Sequence, residues 1–327
     1  VLGIGPGDKV IVTPRSFLAS VSSVVNAGAT PVFAEVDPDS QNITAAKIEA
    51  VLTKNTKAIL PVHLAGWPCD IDAIMDLARE HNLAVIEDCA QAHGARYDDQ
   101  SVGSFGHVGA WSFCQDKIMT TGGEGGMVTT SDSSLWERMW AWKDHGKSYA
   151  AVFQQQHPPG FRWLHESFGS NLRMTGMQAA IGRIQLRRMP RWHRQRDDHA
   201  ARILAAAGRF PRLLRAPRPP AGIAHAWYKC YLFVRPEGLR EGWSRDRIME
   251  EINARGVPCY SGSCSEVYLE KAFDGTGWRP PERLPVARAL GDSSLMFLVH
   301  PTLTGEQIDA TCAAIAAVAS LAAAAGA

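Results

Sequence analysis

Short apolar runs alternate with segments of helical spacing from Lys9 to Asp88, and this alternation most constrains what the chain can fold into. Lys9–Thr13, Thr30–Val36, Lys57–His63 and Leu83–Asp88 are rich in β-branched residues and short enough to be strands. Between them, Phe17–Ala27 has helical spacing closed by Gly28, Thr44 can cap a helix running to Leu52, and Asp70 can cap one reaching His81. Strands separated by helices cannot pair as tight hairpins; each must cross over and return parallel to the last. The spacing predicts an α/β fold with a mostly parallel central sheet flanked by helices. Ligands of such sheets gather at the carboxyl ends of the strands.

Beyond Asp88 the pattern loosens. Ala110–Cys114 and Met127–Thr130 read as strands on either side of the glycine-rich stretch Gly122–Gly126. Leu135–His145 and Thr175–Met189 read as helices, and Pro190 as the first-turn residue of another, Trp192–Arg209. The proline-rich stretch Ala216–Ala221 opens a separate block. It holds a strand at Tyr228–Val234, a helix at Ser244–Arg255 and an alanine-rich closing helix at Ile308–Ala327. The expected organisation is a large domain over 1–194 and a smaller α+β domain over 195–327.

Charge narrows the function. Charged residues are 20% and the net charge is +1, which gives no electrostatic footprint for nucleic acid or a membrane surface. No apolar run is long enough to span a bilayer. Seven cysteines without paired spacing, and a first stretch without a basic region and long apolar core, fit a cytoplasmic protein. Cys259 and Cys264 have no second pair to complete a zinc set, so no metal is expected.

Two glycine clusters fail as nucleotide signatures. Gly3-Ile-Gly-Pro-Gly7 precedes a strand instead of following one, and Gly122–Gly126 leads into a strand with no Lys-Ser/Thr after it. The second reads as a tight turn in which glycine supplies positive φ. Lys117, just past a strand end and beside that turn, is either a candidate amine nucleophile or a solvated loop lysine. Asp88 ends an apolar strand, where a lone carboxylate is costly unless paired. It reads either as a cap for the next turn or as the anionic partner of a protonated ring nitrogen, which pyridoxal phosphate requires. Gln91 could then reach the phenolic oxygen of that ring.

Glu87-Asp-Cys-Ala-Gln-Ala-His-Gly94, Ser112-Phe-Cys-Gln-Asp-Lys117 and Gly123-Glu-Gly-Gly-Met127 closely resemble the DegT/DnrJ sugar aminotransferase family. So do Gly5–Ile11, Gly28–Phe33, Val62–Gly66 and Gly169–Met174, with the likeness dense as far as Leu186. The resemblance implies the type I aminotransferase fold, a pyridoxal 5'-phosphate cofactor and a homodimer with shared sites. It implies an amino group moved from glutamate to a nucleotide-linked keto sugar in ping-pong half-reactions. Lys117 matches the lysine that holds the cofactor aldehyde as an imine and then moves the proton. Asp88 matches the partner of the ring nitrogen, Gln91 the residue beside the ring hydroxyl, and Ser112 a phosphate-binding hydroxyl. Phe17 matches an aromatic that stacks on the ring, with a core phenylalanine as the alternative. Asn171 matches a residue that reaches the neighbouring subunit's cofactor phosphate. Arg173, His225 and Tyr260 are candidate substrate contacts, Arg173 being equally readable as a structural ion pair.

Three departures accompany the likeness. Family members usually begin some tens of residues earlier, with a Ser-Gly-Thr turn on the phosphate, so a preceding segment is expected. Gln115 and Asp116 replace the more usual residues before the lysine. Val257–Glu266 replaces a Tyr-Pro-x-Pro-Leu-His segment that shapes the sugar pocket. A sugar dehydratase on the same scaffold would carry histidine at Lys117 or a cysteine cluster, and neither is present. A cofactor-binding relative without turnover stays open at this point.

Overall fold

The computed structural model describes residues 1–324. The expected helix end at Ala327 lies outside them. In chain order the elements are β1 (Lys9–Val12), α1 (Ala19–Asn26), β2 (Thr30–Phe33), α2 (Ala45–Glu49), β3 (Thr56–Leu60), α3 (Ile71–Glu80) and β4 (Ala84–Asp88). Two short strands, β5 (Arg96–Tyr97) and β6 (Gln100–Ser101), precede β7 (Val108–Ser112), β8 (Gly126–Thr129), α4 (Ser133–Lys143), α5 (Tyr149–Phe153) and α6 (Gly176–Ala207). The remainder is β9 (Leu214–Arg215), β10 (Ile223–Ala224), β11 (Cys230–Val234), α7 (Arg245–Ala254), β12 (Cys259–Tyr260), α8 (Pro285–Ser293), β13 (Ser294–Phe297) and α9 (Gly305–Ala322).

The predicted parallel sheet is present. Its order is β2-β1-β3-β4-β7-β8, with the first five strands parallel and β8 antiparallel to β7. Helices pack against the central strands, so Ile11, Val12, Ile59 and Val85 are buried with Ile48, Ile71 and Ile74 of the flanking helices, while β8 at the sheet edge is exposed. The antiparallel sheet β12-β13-β11-β9 packs with α6, α7 and α9 around a second core containing Ile203, Leu232, Phe297 and Val318. Among the described residues no helix is long and apolar enough to cross a membrane.

The two halves are knit more tightly than the sequence suggested. Helix α6 runs unbroken past 194/195, with Pro190 inside it. A capping box of Thr175 and Gln178 starts the helix. An internal proline costs roughly 3 kcal/mol. Buried contacts of Ile203, Leu204 and Ala207 in the second core oppose that cost and carry the helix on. The first core also includes Tyr231, Phe233, Val267 and Tyr268, all from beyond residue 195. Glu35 adds a polar clamp, its carboxylate accepting from the Val286 and Ala287 N–H groups at the start of α8. Asp70 does not cap α3; its Oδ1 accepts instead from the Tyr97 hydroxyl at 3.2 Å.

What fixes the end of β4 is Glu87. Its fully buried carboxylate accepts from the N–H groups of Gly103 (2.7 Å), Phe105 (2.9 Å) and Gly106 (2.7 Å) and from His63 Nε2 (3.0 Å). The Cys69 N–H donates to His63 Nδ1, so Nε2 carries the ring proton and is the donor to Glu87. Cys89 lies in the same buried group, its thiol pushed well up by burial and by Glu87. With every oxygen of Glu87 engaged and the thiol held protonated, the group is a hydrogen-bond node and offers no open ligand set.

Burial opposes ionisation of Glu87, but the His63 bond and the Gly106 and Gly103 N–H groups outweigh it and hold the carboxyl below its ordinary value. A depressed carboxyl contributes stability above its unfolded pKa and loses it as pH falls through the folded value. Glu87→Gln, which turns one acceptor into a donor facing donors, should cost about 3 kcal/mol at pH 7. Urea unfolding from pH 7 to pH 3 should show the gap between wild type and variant shrinking with acidification.

Candidate active site

The carboxyl ends of β4 and β7 lie side by side, Asp88 in register with Ala110. Asp88 closes β4 because its backbone is tied to the next strand's end: its N–H donates to Pro61 and its carbonyl accepts from His63. Its side chain is half-buried. One oxygen accepts from the Ser20 hydroxyl at 2.7 Å, the other from the Ala90 N–H at 3.0 Å. The second bond is the local cap weighed from the sequence, and it leaves the carboxylate's outer face free. Among the described residues no cation pairs with Asp88. A half-buried carboxylate held by two neutral donors and lacking a cation is suited to receive one.

Ser20 was missed by sequence reading. It sits on α1, buried, and links Ser16 (2.8 Å) to Asp88. Its own N–H bonds to the carbonyl of Phe17, so the Phe17 turn is anchored on Asp88 through one serine. Phe17 is 70% exposed, which removes the core-phenylalanine alternative. The signal was present as a serine one helical turn past an aromatic, but serine on a helix is too common to single out.

Gln91 is buried and its Oε1 accepts from the Ala65 N–H at 2.8 Å. This bond decides which way the amide points, so its NH₂ group is the end left to donate. The same Ala65 accepts at its carbonyl from the N–H groups of Tyr228 (2.8 Å) and Lys229 (3.4 Å). Ala65 has φ +57°, a left-handed conformation that turns its N–H and carbonyl toward different partners. One short turn, Leu64–Gly66, therefore seats both Gln91 and the segment leading into β11. That segment is not strand, as the sequence had suggested; β11 starts only at Cys230.

Lys117 follows β7 in a turn closed by its N–H on Cys114. Its side chain is only 14% exposed, with Nζ 5.3 Å from the centre of the Tyr228 ring and 3.9 Å from Asp116. Asp116 also accepts from the Tyr228 hydroxyl at 2.8 Å. Burial opposes its ionisation, but Tyr228 and Lys117 outweigh it and hold the carboxyl below its ordinary value. The unusual Asp116 thus ties the lysine turn to the segment before β11. Gly122 and Gly123, at φ +80° and +146°, form the expected turn beside it.

The remaining predicted residues divide. Ser112 ends β7, its Oγ accepting weakly from Cys114 at 3.4 Å. Tyr260 is exposed on β12. Asn171 and Arg173 are not joined to this cluster. Asn171 bridges to Asp144 at the end of α4, and Arg173 bonds to Asn171 (3.1 Å) and pairs with Asp144 (3.5 Å), which is the structural ion pair. His225 is a correction. It is buried, stacked on Trp227 and edge-on to Trp67, and its Nδ1 accepts from the Trp227 N–H at 2.7 Å. Burial pushes it down to about 3, so it packs as a neutral ring against the two tryptophans.

These residues fit pyridoxal 5'-phosphate. A carboxylate without a cation partner among the described residues, an oriented amide NH₂ and a sheltered primary amine follow the ends of β4 and β7, where such a sheet presents ligands, and they are the donor types that cofactor needs. The DegT/DnrJ/EryC1/StrS aminotransferase family matches the chain over residues 1–316. The chain is 37% identical over 327 residues to the GDP-perosamine synthase of Caulobacter vibrioides, covering 96% of this chain and 80% of that protein. It superposes on an aminotransferase from Psychrobacter cryohalolentis with a TM-score of 0.97 at 63% identity, covering 98% of this chain and 83% of that one. On S. venezuelae DesV, solved with a ketimine intermediate, the TM-score is 0.84 at 33% identity, covering 97% and 80%. The chain belongs to the DegT/DnrJ/EryC1/StrS aminotransferase family, and its cofactor is pyridoxal 5'-phosphate.

Because Ser20 orients Asp88, Ser20→Ala should weaken pyridoxal phosphate binding about tenfold, the loss expected for one hydrogen bond to a charged group. Absorbance titration of the apoenzyme measures it, and an unchanged dissociation constant would show that Ser20 does not position Asp88.

Proposed function

We propose that this family member moves an amino group from glutamate to a keto sugar carried on a nucleotide, both substrates using one site in turn. The carrying observation is the placement of the Lys117 amine, sheltered between Asp116 and Tyr228, beside the strand end that presents Asp88. Kinship with a GDP-perosamine synthase supports a nucleotide-linked sugar as acceptor.

Pyridoxal phosphate, when bound, supplies an aldehyde that accepts an amino group and a ring that draws off electrons. Asp88 would keep the ring nitrogen protonated, since among the described residues its carboxylate has no other cation to neutralise it. Gln91 would donate its NH₂ to the ring oxygen, a role its bond to Ala65 leaves it free to play. Phe17 would stack on the ring, and the Ser112 hydroxyl would help hold the phosphate. Lys117 would take the proton from the substrate carbon that bears the nitrogen and return it on the other side of that nitrogen, the 1,3-shift an aminotransferase needs. Asp116 and Tyr228 hold that amine in place while it does so.

The active unit in this reading is a homodimer. Trp163 and Phe168 are 84% and 97% exposed, and Phe161, Leu172 and Met177 are exposed near them in sequence. So large a set of bare apolar side chains between α5 and the start of α6 calls for a covering surface. A second copy covering it would carry Asn171, which follows Phe168 in the chain, to the partner's cofactor phosphate. All seven cysteines are free thiols, consistent with work in the cytoplasm.

Lys117→Ala should remove the lysine-dependent visible absorbance of the bound cofactor and abolish its spectral change with glutamate. A variant indistinguishable from wild type would sink the assignment. Light scattering should give twice the 35.6 kDa chain mass for wild type. Phe168→Glu should shift the protein toward monomer, and a monomeric wild type would refute the dimer.

A further inference from the structure

Lys229 has no task in the scheme above, yet the fold brings it to the site with care. Its backbone N–H is seated on Ala65, the residue that also orients Gln91. Its Nζ lies 5.2 Å from the centre of the Tyr228 ring, the same ring that holds the Lys117 amine at 5.3 Å. Two ammonium groups thus share one aromatic ring. Lys229 is half-buried, and the sole hydrogen-bond partner of its Nζ among the described residues is the Ser263 hydroxyl at 3.4 Å.

The wall behind it is also cationic. Tyr231 bonds to Ser263 through both the serine N–H (2.7 Å) and hydroxyl (3.2 Å), and the buried Arg15 guanidinium lies 5.4 Å over the Tyr231 ring. Arg15 donates Nε to Gln41, and its two terminal nitrogens have no hydrogen-bond partner among the described residues. Neither Lys229 nor Arg15 is paired with a carboxylate among the described residues, and Asp116 is committed to Tyr228 and Lys117. A half-buried ammonium beside a hydroxyl, with excess positive charge behind it, is built for an anion.

We propose that Lys229, with Ser263, binds a carboxylate carried close to the reacting carbon of the substrate. Resting on the aminotransferase reading above, this deepens it by naming a recognition residue. Both amines lie against one ring, at 5.3 and 5.2 Å from its centre, so a group held at Lys229 belongs to the same substrate that Lys117 serves. A carboxylate on that substrate fits. It is supplied either by the amino donor or by an acidic sugar. Lys229 binds and positions; Lys117 does the chemistry.

Calorimetric titration of the cofactor-loaded enzyme tests this in two arms. In the donor arm the probe is 2-oxoglutarate. In the sugar arm it is UDP-glucuronate compared with UDP-glucose, which differ at one carboxylate. Lys229→Met, uncharged and similar in length, should weaken 2-oxoglutarate binding about 10- to 100-fold, or erase the preference for UDP-glucuronate over UDP-glucose, with Lys229→Arg restoring most of the effect. The first result assigns the carboxylate to the donor, the second to the sugar. Lys229→Met matching wild type in both arms overturns the proposal, as does equal loss of UDP-glucose binding, which would mark a general packing role. Far-ultraviolet circular dichroism confirms that the variants fold. The glutamate-driven spectral change of wild type is read separately, so a failed transamination reading and a failed Lys229 assignment give different results.

Discussion

A single buried carboxylate holds this structure's site in place. Glu87 takes three backbone N–H groups from the loop before β7 and a fourth donor from His63 at the end of β3. It thereby ties three neighbouring strand ends of the sheet to one point. An ionised group at such depth is tolerable only when fully bonded, and each of its bonds therefore also fixes geometry. Asp88, the next residue of β4, points to the opposite face of the sheet. Its outward direction is a consequence of how firmly Glu87 is held inward.

The second organising contact is smaller. Ala65, in a left-handed turn, offers its N–H to Gln91 and its carbonyl to Tyr228 and Lys229. Gln91 lies in the turn after β4 of the parallel sheet and Tyr228 in the segment feeding the antiparallel one. Asp116 repeats the link from the lysine side through the Tyr228 hydroxyl. The proposed cofactor site thus draws on both parts of the chain, which hydrogen bonds at that site join. The bonds from the start of α8 to Glu35, just after β2, and the mixed first core do the same at a distance.

Where sequence reading went astray, competing tertiary contacts explain it. Pro190 was taken for a helix start because proline is well placed there. The helix passes through it because buried residues farther along, from Ala200 to Ala207, need a common face toward α9. Asp70 had the right type and position for a cap, but the Tyr97 hydroxyl claims its carboxylate. His225 looked available as a polar residue near a strand; two tryptophans enclose it. In each case the local preference was real, and a partner distant in sequence outbid it.

The sequence by itself determined the parallel sheet, the strand ends that carry Asp88 and Lys117, and the family kinship. Those features rest on local periodicity and on ordered short motifs, which a linear chain displays directly. Only the tertiary structure decided that Ser20 steadies Asp88, that Ala65 sets the direction of Gln91, and that Tyr228 is shared by Lys117 and Lys229. These pairs lie far apart along the chain and obey no period. They exist because crossover connections bring distant backbone groups together, and each buried donor must then find an acceptor.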